Sequence, residues 1–309
     1  MKKFRIGITG ATGLIGGKLC EYYCSKGHEV SIITRSVKNL NLKKIKIYKI
    51  DLSIPDISKI KKFTKNLDIL FHLASELKDD SKMMHTNYES TKILVDLLIK
   101  KKTIFVYLSS IGVFDFNSSK LITEESKKNQ LNYYEKTKYL SEKYIYKQTK
   151  KRLKFIIIRP SIILDLKMKS KIVKSLINLC SLKVKLNSPK SIIANFVLST
   201  DIIKVLTGVV KLKSAIGESF NISSNVSLSE FMFEISNKIN KKPYILVPMN
   251  IFLFTIKIIS FLTNRNNFRS IEVFFSNTSK VSSIKIENFL DFKICGNFSS
   301  FLKAYIEKK

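Results

Sequence analysis

The chain has 309 residues, of which 45% are hydrophobic, a length and composition typical of one large or two modest globular domains rather than a disordered chain. Its formal charge of +31 comes mainly from Lys, since only six of its 55 basic residues are Arg. Readout of base edges favours Arg and these Lys are not clustered, so we expect no dedicated nucleic-acid binding, although a basic surface attracts anionic substrates and membranes.

The first predicted strand carries Phe4, Ile6 and Ile8, and glycines follow at positions 10, 13 and 16. Glycine permits the tight turn and the close backbone approach that a dinucleotide pyrophosphate requires. A helix from about Leu14 to Ser25 would point its N-terminal amides at the phosphates. The pattern predicts a dinucleotide-binding turn, with an ordinary tight turn as the alternative.

The full string Thr-Gly-Ala-Thr-Gly-Leu-Ile-Gly, from Thr9 to Gly16, resembles the extended short-chain dehydrogenase/reductase family, in its NAD-dependent epimerase/dehydratase group. The resemblance implies an α/β fold, a doubly wound parallel Rossmann sheet with a smaller C-terminal substrate lobe. It also implies that the cofactor contacts Gly10, Thr12, Gly13, Leu14, Ile15 and Gly16.

The second predicted strand, Glu29 to Thr34, ends where a Rossmann fold places the residue that reads the adenosine ribose. NAD enzymes typically have Asp or Glu at this point, whereas this chain has Thr34, Arg35 and Ser36. A guanidinium suits a 2′-phosphate, so Arg35 predicts NADP as the cofactor, with NAD as the alternative. A solvated loop charge is the competing interpretation of Arg35.

Predicted strands at Ile45 to Ile50, Ile69 to His72 and Thr103 to Leu108 continue an alternation with helices that is typical of a parallel sheet. The resemblance makes His72 a structural residue and Asn87 the start of a helix to about Lys102. It implies further cofactor contacts after the third and fourth strands, at Asp51, Leu52, Leu73, Ala74 and Ser75.

The candidate catalytic residues are Ser110, at the end of the fifth strand, and Tyr134 with Lys138, on a predicted helix to about Thr149. Tyr-x-x-x-Lys is common in this Lys-rich chain. Tyr134 is distinguished because its helix follows the serine strand and because Thr137 and Glu142 complete the family pattern. Tyr139 with Lys143 is the competing pair.

Residues i and i+4 share one face of a helix, so we expect the Lys138 ammonium to lower the pKa of the Tyr134 hydroxyl. A tyrosine tuned in this way can exchange a proton with a substrate oxygen that Ser110 also contacts. By resemblance, Tyr134 and Lys138 also contact the cofactor, Lys138 at the nicotinamide ribose, and Pro160 flanks the nicotinamide.

Beyond a sixth strand at Phe155 to Arg159 the alternation weakens. The remaining predicted elements are a helix at Met168 to Cys180, a strand at Ile192 to Leu198, a helix from Thr200 to Leu212, a strand at Ser219 to Ser223, and a helix to Ile239 that opens on a Ser227/Glu230 capping box. We assign residues 1–164 and 195–223 to an NAD(P)-binding Rossmann domain, and residues 165–194 and 224–309 to a substrate-binding lobe.

The run at 244–262 contains one charge, Lys257, and is interrupted by Pro248 and Asn250. We expect a buried or amphipathic helix of the substrate lobe, with peripheral membrane contact as the alternative. Four cysteines, at positions 20, 24, 180 and 295, have neither the spacing of a zinc site nor the density of a disulfide scaffold, so we expect no metal and a cytoplasmic protein. A homodimer is compatible with the sequence.

Sugar-nucleotide dehydratases of this family carry acidic residues just after the catalytic hydroxyl, where this chain has Ile111 and Gly112. The expected activity is therefore that of a nucleotide-sugar 4-ketoreductase or 4-epimerase, and the basic charge suits a diphosphate substrate. A reductase of a hydroxysteroid-like or other apolar carbonyl compound is the alternative. The other alternative is a non-catalytic scaffold that only binds the cofactor.

Overall fold

The computed structural model describes residues 3–36, 45–167, 171–187, 191–239, 245–262, 272, 274–294 and 296–307. Its strands, in chain order, are β1 (Arg5–Thr9), β2 (Glu29–Thr34), β3 (Ile45–Lys49), β4 (Ile69–His72), β5 (Ile104–Leu108), β6 (Leu121–Ile122), β7 (Phe155–Pro160), β8 (Ile162–Leu164), β9 (Val184–Asn187), β10 (Ile193–Leu198), β11 (Ser219–Ile222), β12 (Ser224–Ser227), β13 (Ile245–Pro248) and β14 (Lys280–Val281).

The helices are α1 (Leu14–Ser25), α2 (Ile57–Thr64), α3 (Asp80–Met83), α4 (Ser90–Leu98), α5 (Tyr133–Lys147), α6 (Lys171–Ser181), α7 (Ser199–Val209), α8 (Leu228–Lys238), α9 (Met249–Leu262), α10 (Ile284–Leu290) and α11 (Phe298–Glu307). A π-helical turn, Met84–Glu89, joins α3 to α4, and a short 3₁₀ turn, Ile111–Val113, follows β5.

Seven parallel strands form the central sheet, in the order β3-β2-β1-β4-β5-β7-β11. One face is covered by a cluster that includes Ile15 and Leu19 of α1 and Val205 of α7, and the other by a cluster that includes Leu94 of α4 and Ile145 of α5. The predicted α/β fold with a parallel sheet is confirmed. Strand order reverses between β1 and β4, where open α/β sheets bind their ligands.

Helix α1 has the bounds that its sequence predicts. Ile15, Leu19 and Tyr23 recur at helical spacing and are buried. A Cβ on Gly16 would lie 2.2 Å from the carbonyl oxygen of Gly10, so only glycine lets the helix begin this close to the turn after β1.

One predicted helix start is wrong. The helix before β5 begins at Asp80, where the Asp79 side chain accepts from the Ser81 amide, and Asn87 lies within the π-helical turn. Asn87 is committed to other contacts: its Oδ1 accepts from the Glu76 amide at 2.7 Å, and its Nδ2 donates to Thr137 Oγ1 at 3.0 Å.

Helix α8 begins directly after Ser227, as predicted, but the Ser227 side chain makes no capping bond and its hydroxyl instead pairs with the Ser229 hydroxyl at 2.7 Å. Helix α6 begins at Lys171, and the predicted start at Met168 lies outside the described residues.

A smaller three-stranded sheet pairs β10 with β8 in parallel and with β12 in antiparallel orientation. A separate apolar cluster packs against it and includes Val173 of α6, Phe231 of α8 and Leu302 of α11. Strand β11 returns to the central sheet, whereas the predicted boundary between residues 194 and 195 falls inside β10. The division into a Rossmann domain and a substrate lobe stays a prediction.

The run at 244–262 forms β13 and α9, and Tyr244 lies outside the described residues. Phe252 and Leu253 pack against the second apolar cluster. Among the side chains of α9 whose burial the structure describes, Ile251, Phe254 and Ile258 are exposed apolar residues. Within the described ranges, no helix has the length and apolarity needed to cross a membrane.

Candidate active site

A cavity of about 230 Å³ opens at the carboxyl ends of β1 to β4. Many of the predicted cofactor contacts line it, namely Gly10, Thr12, Gly13, Arg35, Asp51, Leu52, Leu73, Ala74 and Ser75. Five further lining residues were not predicted: Ile33, Thr34, Ile50, Glu76 and Thr86. The other predicted contacts, Leu14, Ile15, Gly16, Tyr134, Lys138 and Pro160, are not among its lining residues.

The turn after β1 has the shape that a dinucleotide requires. Gly10 adopts φ +72°, and a Cβ there would lie 2.7 Å from the Ala74 amide nitrogen. The Gly13 amide donates to the Gly10 carbonyl at 2.9 Å and begins α1 over the turn. Leu14, Ile15 and Gly16 form the first turn of that helix, and Ile15 packs into the core. The residues present therefore fit a dinucleotide cofactor.

Arg35 follows β2 and lines this cavity, and its side chain is 67% exposed. Its Nη1 lies 4.0 Å from the carboxylate of Glu76, whose Oε1 accepts from the amides of Leu77 and Lys78 at 3.0 Å. Although burial opposes ionisation, these amides and Arg35 hold the pKa of Glu76 below its usual value.

Asp51, in the same cavity, is exposed: although partial desolvation opposes the shift, bonds from Ser53 and the charges of Arg35 and Lys82 hold its pKa below the usual value. Two carboxylates thus share the cavity with the one guanidinium that lines it among the described residues.

His72 is a neutral structural residue. Its Nδ1 lies 2.7 Å from Thr9 Oγ1, and its Nε2 lies 2.9 Å from Thr91 Oγ1. Because the Thr91 hydroxyl donates to the Asn87 carbonyl, it accepts from Nε2–H, which fixes the tautomer. Burial, with the Lys138 charge as a second cause, lowers the pKa of His72 to about 3. His72 therefore ties β4 to β1 and α4.

Ser110 follows β5 and caps the 3₁₀ turn, with its Oγ accepting from the Gly112 amide at 3.1 Å. Helix α5 begins directly after Asn132, whose side chain caps it by accepting from the Glu135 amide at 2.9 Å. Lys138 Nζ donates to the Leu108 carbonyl at 2.8 Å and lies 5.8 Å from the centre of the Tyr134 ring. The Lys138 bond therefore holds the Tyr134/Lys138 face of α5 against the end of β5, the strand that Ser110 follows.

The expected lowering of the tyrosine pKa is wrong in this structure. Burial raises the pKa of Tyr134 to about 12, although a hydrogen bond with Ser75 opposes the shift. Burial also lowers the pKa of Lys138 to about 7, against the attraction of Glu142. Desolvation outweighs the Ser75 hydrogen bond at Tyr134 and the Glu142 charge at Lys138, and the Lys138 ammonium donates to the Leu108 carbonyl.

A buried ion pair anchors α5 to β7. Arg159 Nε and Nη2 donate to the two carboxylate oxygens of Glu142 at 2.7 and 2.9 Å, and both side chains are fully buried. Lys128 Nζ lies 3.3 Å from the same carboxylate. Pro160 follows Arg159 inside β7, opposite Ile222 of β11. The contacts hold the helix that carries Tyr134 in one orientation.

A second cavity of about 230 Å³ begins at Ser110. Its wall is apolar at Ile111, Phe116, Ile162, Ile193 and Phe274, and polar at Glu135, Ser161, Asn195 and Asn277. The sequence analysis missed Glu135, because it occupies a variable position of the Tyr-x-x-x-Lys motif. The Asn132-x-x-Glu135 spacing of a capping box was the available signal, since it turns the acid back towards the start of the helix.

A family model described as the NAD dependent epimerase/dehydratase family matches residues 6–222. Curated relatives include a sterol-4-alpha-carboxylate 3-dehydrogenase, decarboxylating, of Dictyostelium discoideum, 26% identical over 49% of this chain and 51% of that protein. They also include an ADP-L-glycero-D-manno-heptose-6-epimerase of Brachyspira hyodysenteriae, 27% identical over 45% of this chain and 48% of that protein. The chain thus spans about half the length of these relatives.

Two solved structures share the fold of nearly the whole chain. UDP-glucuronic acid 4-epimerase from Bacillus cereus in complex with NAD has a TM-score of 0.75 at 17% identity, covering 98% of this chain and 97% of that chain. A short-chain dehydrogenase/reductase superfamily protein from Agrobacterium tumefaciens with bound NAD has a TM-score of 0.76 at 15% identity, with the same coverage, 98% and 97%.

Proposed function

Because the chain belongs to the NAD-dependent epimerase/dehydratase family, we propose that it is an NAD(P)-dependent 4-ketoreductase or 4-epimerase of a nucleotide sugar. The observation that carries the proposal is the position of Ser110 and of the Tyr134/Lys138 face of α5. Ser110 borders the second cavity, and the Tyr134 hydroxyl lies near enough to Ser75, which lines the first, for Ser75 to lower its pKa against the effect of burial. A proton donor between a cofactor cavity and a substrate cavity is what carbonyl reduction requires.

In this proposal Gly10, Thr12 and Gly13 cradle the pyrophosphate, and Asp51 and Leu52 contact the adenosine. The nicotinamide cofactor, when bound, supplies hydride transfer. Ser110 donates a hydrogen bond to the substrate oxygen and orients it. Tyr134 exchanges a proton with the same oxygen, and Lys138 holds the ribose that lies beside it.

The choice of cofactor is part of the proposal. Arg35 supports NADP, because a guanidinium can pair with a 2′-phosphate. Glu76 and Asp51 weaken the preference for NADP, since their carboxylates would repel the same 2′-phosphate. We therefore propose NADP with a modest preference over NAD, nearer tenfold than a hundredfold.

A second candidate function is the reduction of an apolar carbonyl compound. It is favoured by the apolar wall of the second cavity, at Ile111, Phe116 and Phe274, and by the relative described as a sterol-4-alpha-carboxylate 3-dehydrogenase. A scaffold that only binds the cofactor is the third candidate, and it leaves the Ser110, Tyr134 and Lys138 arrangement without a role.

The purified chain can be tested with a nucleotide 4-keto sugar and with a ketosteroid, each with NADPH or NADH, by the loss of reduced-cofactor absorbance. Epimerisation is tested separately by following UDP-galactose with NAD by NMR. We expect turnover of a nucleotide sugar that Tyr134→Phe abolishes. Turnover of the ketosteroid alone would favour the second candidate, and cofactor binding without any turnover would favour the scaffold.

A further inference from the structure

The second cavity contains a set of hydrogen-bond acceptors that the proposed chemistry does not use. Ser161 and Asn195 line it and are only 5% and 6% exposed. Within the described part of the chain, Ser161 Oγ and Asn195 Oδ1 have no hydrogen-bond partner. Buried polar atoms are normally paired, so these two residues of the cavity wall have hydrogen-bonding capacity that the described residues do not use and that a ligand could take up.

The carboxylate of Glu135 lies at the Ser110 end of the same cavity. Its Oε2 accepts from the Leu131 amide at 2.8 Å, while a Cβ built on Gly112 would lie 2.5 Å from Oε1. The absence of a side chain at Gly112 thus lets the carboxylate reach the turn that follows Ser110. Glu135 therefore lines the cavity beside the turn that follows Ser110, the residue that contacts the reacting oxygen in the proposed function.

No positive charge balances this acid in the cavity. Of the described residues that line it, none is Lys, Arg or His, in a chain with 55 Lys and Arg. A substrate carboxylate would therefore face Glu135 without a cation, in a partly apolar pocket where charge repulsion is weakly screened. A hydroxyl or an ammonium group would instead donate to Glu135 and Asn195.

A purely structural role explains only part of the arrangement. Glu135 and Asn132 form a capping box at the start of α5, which accounts for the bond to Leu131. Capping does not account for the unpaired atoms of Ser161 and Asn195, nor for the lack of a cation.

We infer that the second cavity selects the sugar by charge: it accepts a neutral or amino-substituted sugar and rejects a uronic acid. This inference rests on the proposed nucleotide-sugar function. It assigns Glu135 as the residue that sets specificity, with Asn195 and Ser161 completing the contacts to donor groups.

The test compares UDP-glucose with UDP-glucuronic acid, which differ only in the group at C6, by calorimetric titration into the chain saturated with NAD. We expect UDP-glucose to bind at least about tenfold more tightly, the effect of one unfavourable charge pair. Glu135→Gln keeps an acceptor for the Leu131 amide. We expect it to raise affinity for UDP-glucuronic acid at least about tenfold and to change affinity for UDP-glucose less than about threefold.

Glu89→Gln, which removes an exposed helix charge, is the matched control and should leave the ratio unchanged. Equal affinities in the parent chain, or an unchanged ratio in Glu135→Gln, would overturn the inference while leaving the proposed function in place. Failure of both nucleotide sugars to bind would overturn the proposed function, and the inference with it.

The Ser161→Ala variant distinguishes a substrate-binding role of the Ser161 hydroxyl from a purely structural one. Loss of an unpaired buried hydroxyl leaves stability equal or higher, whereas loss of a substrate contact weakens UDP-glucose binding by about threefold to tenfold. We expect both results together. Unchanged binding would remove Ser161 from the site.

Discussion

The ammonium nitrogen of Lys138 lies 5.8 Å from the ring centre of Tyr134, one turn along α5. Burial moves the two pKa values in opposite directions, to about 12 for Tyr134 and about 7 for Lys138. Near neutral pH the phenol therefore keeps its proton, whereas Lys138 gives up its proton more readily than an exposed lysine. A protonated phenol is ready to act as an acid, the role that carbonyl reduction requires.

Tyr134→Phe should lower turnover by at least about a hundredfold and leave cofactor affinity unchanged, because it removes only the proton-transferring hydroxyl. Steady-state kinetics and cofactor titration measure the two effects. Tyr133→Phe, at the preceding position of the helix, is the matched control. If Tyr139→Phe caused the loss instead, the catalytic pair would be Tyr139 and Lys143.

Arg35→Ala should weaken NADP binding by about tenfold relative to NAD, as expected for an exposed guanidinium that pairs with a phosphate. Glu76→Gln should move the ratio in the opposite direction, since it removes a carboxylate that competes for Arg35. Calorimetric titration of both cofactors into the three proteins gives the ratios. A ratio that neither substitution changes would make Arg35 a solvated loop charge.

Glu142→Gln should destabilise the fold by about 3 to 5 kcal/mol, because it leaves the fully buried Arg159 guanidinium without its counter-charge. Urea denaturation of parent and variant measures the free energy of unfolding. Glu89→Gln breaks a partly exposed pair with Lys92 and should cost less than about 1 kcal/mol. Similar losses in both variants would contradict the anchoring role of the buried pair.

Stability should fall as pH is lowered from 6.5 to 5. A histidine of ordinary pKa takes up a proton near 6.5 in the unfolded chain, whereas His72 in the folded protein has a pKa of about 3. The unfolded state therefore binds more protons across this window, and His72 accounts for a loss of about 2 kcal/mol.

Urea denaturation at several pH values measures this slope. His72→Gln should flatten it whatever its effect on absolute stability. Burial also lowers the pKa of His28, so His28→Gln is the control, and it should keep most of the slope.

We propose that 244–262 makes peripheral membrane contact through the exposed face of α9, at Ile251, Phe254 and Ile258. The chain should float with phosphatidylserine vesicles, less so at high salt, and weakly with phosphatidylcholine vesicles, because Lys supplies the attraction. Phe254→Ser should lower vesicle affinity by roughly tenfold, the effect of exposing one aromatic side chain. Equal flotation of Phe254→Ser and parent would assign the binding to charge alone.

The first half of the fold follows closely from local pattern. Strands β2 and β4 and helix α1 have the bounds predicted from apolar spacing and glycine position. The start of the helix before β5 was wrong, because Asn87 is held by Glu76 and Thr137, which lie far from it in sequence. Periodicity carries no information about such distant side-chain contacts.

The sequence predicted those site residues that belong to a recognisable motif. It did not predict the residues that only the fold brings into the site. Glu76 lines the first cavity because β4 and β2 both pair with β1 and end at the same edge of the sheet, an arrangement that the sequence around Glu76 does not encode. The pKa shift of Tyr134 had the wrong predicted sign because the degree of burial at α5 cannot be read from the Tyr-x-x-x-Lys spacing.

The contact between Glu135 and Gly112 also constrains how this sequence can diverge. A Cβ at position 112 would lie 2.5 Å from Oε1 of Glu135, so a substitution there requires the Glu135 side chain to move away or to become smaller. The two positions are therefore coupled: the cost of a side chain at 112 depends on which residue stands at 135.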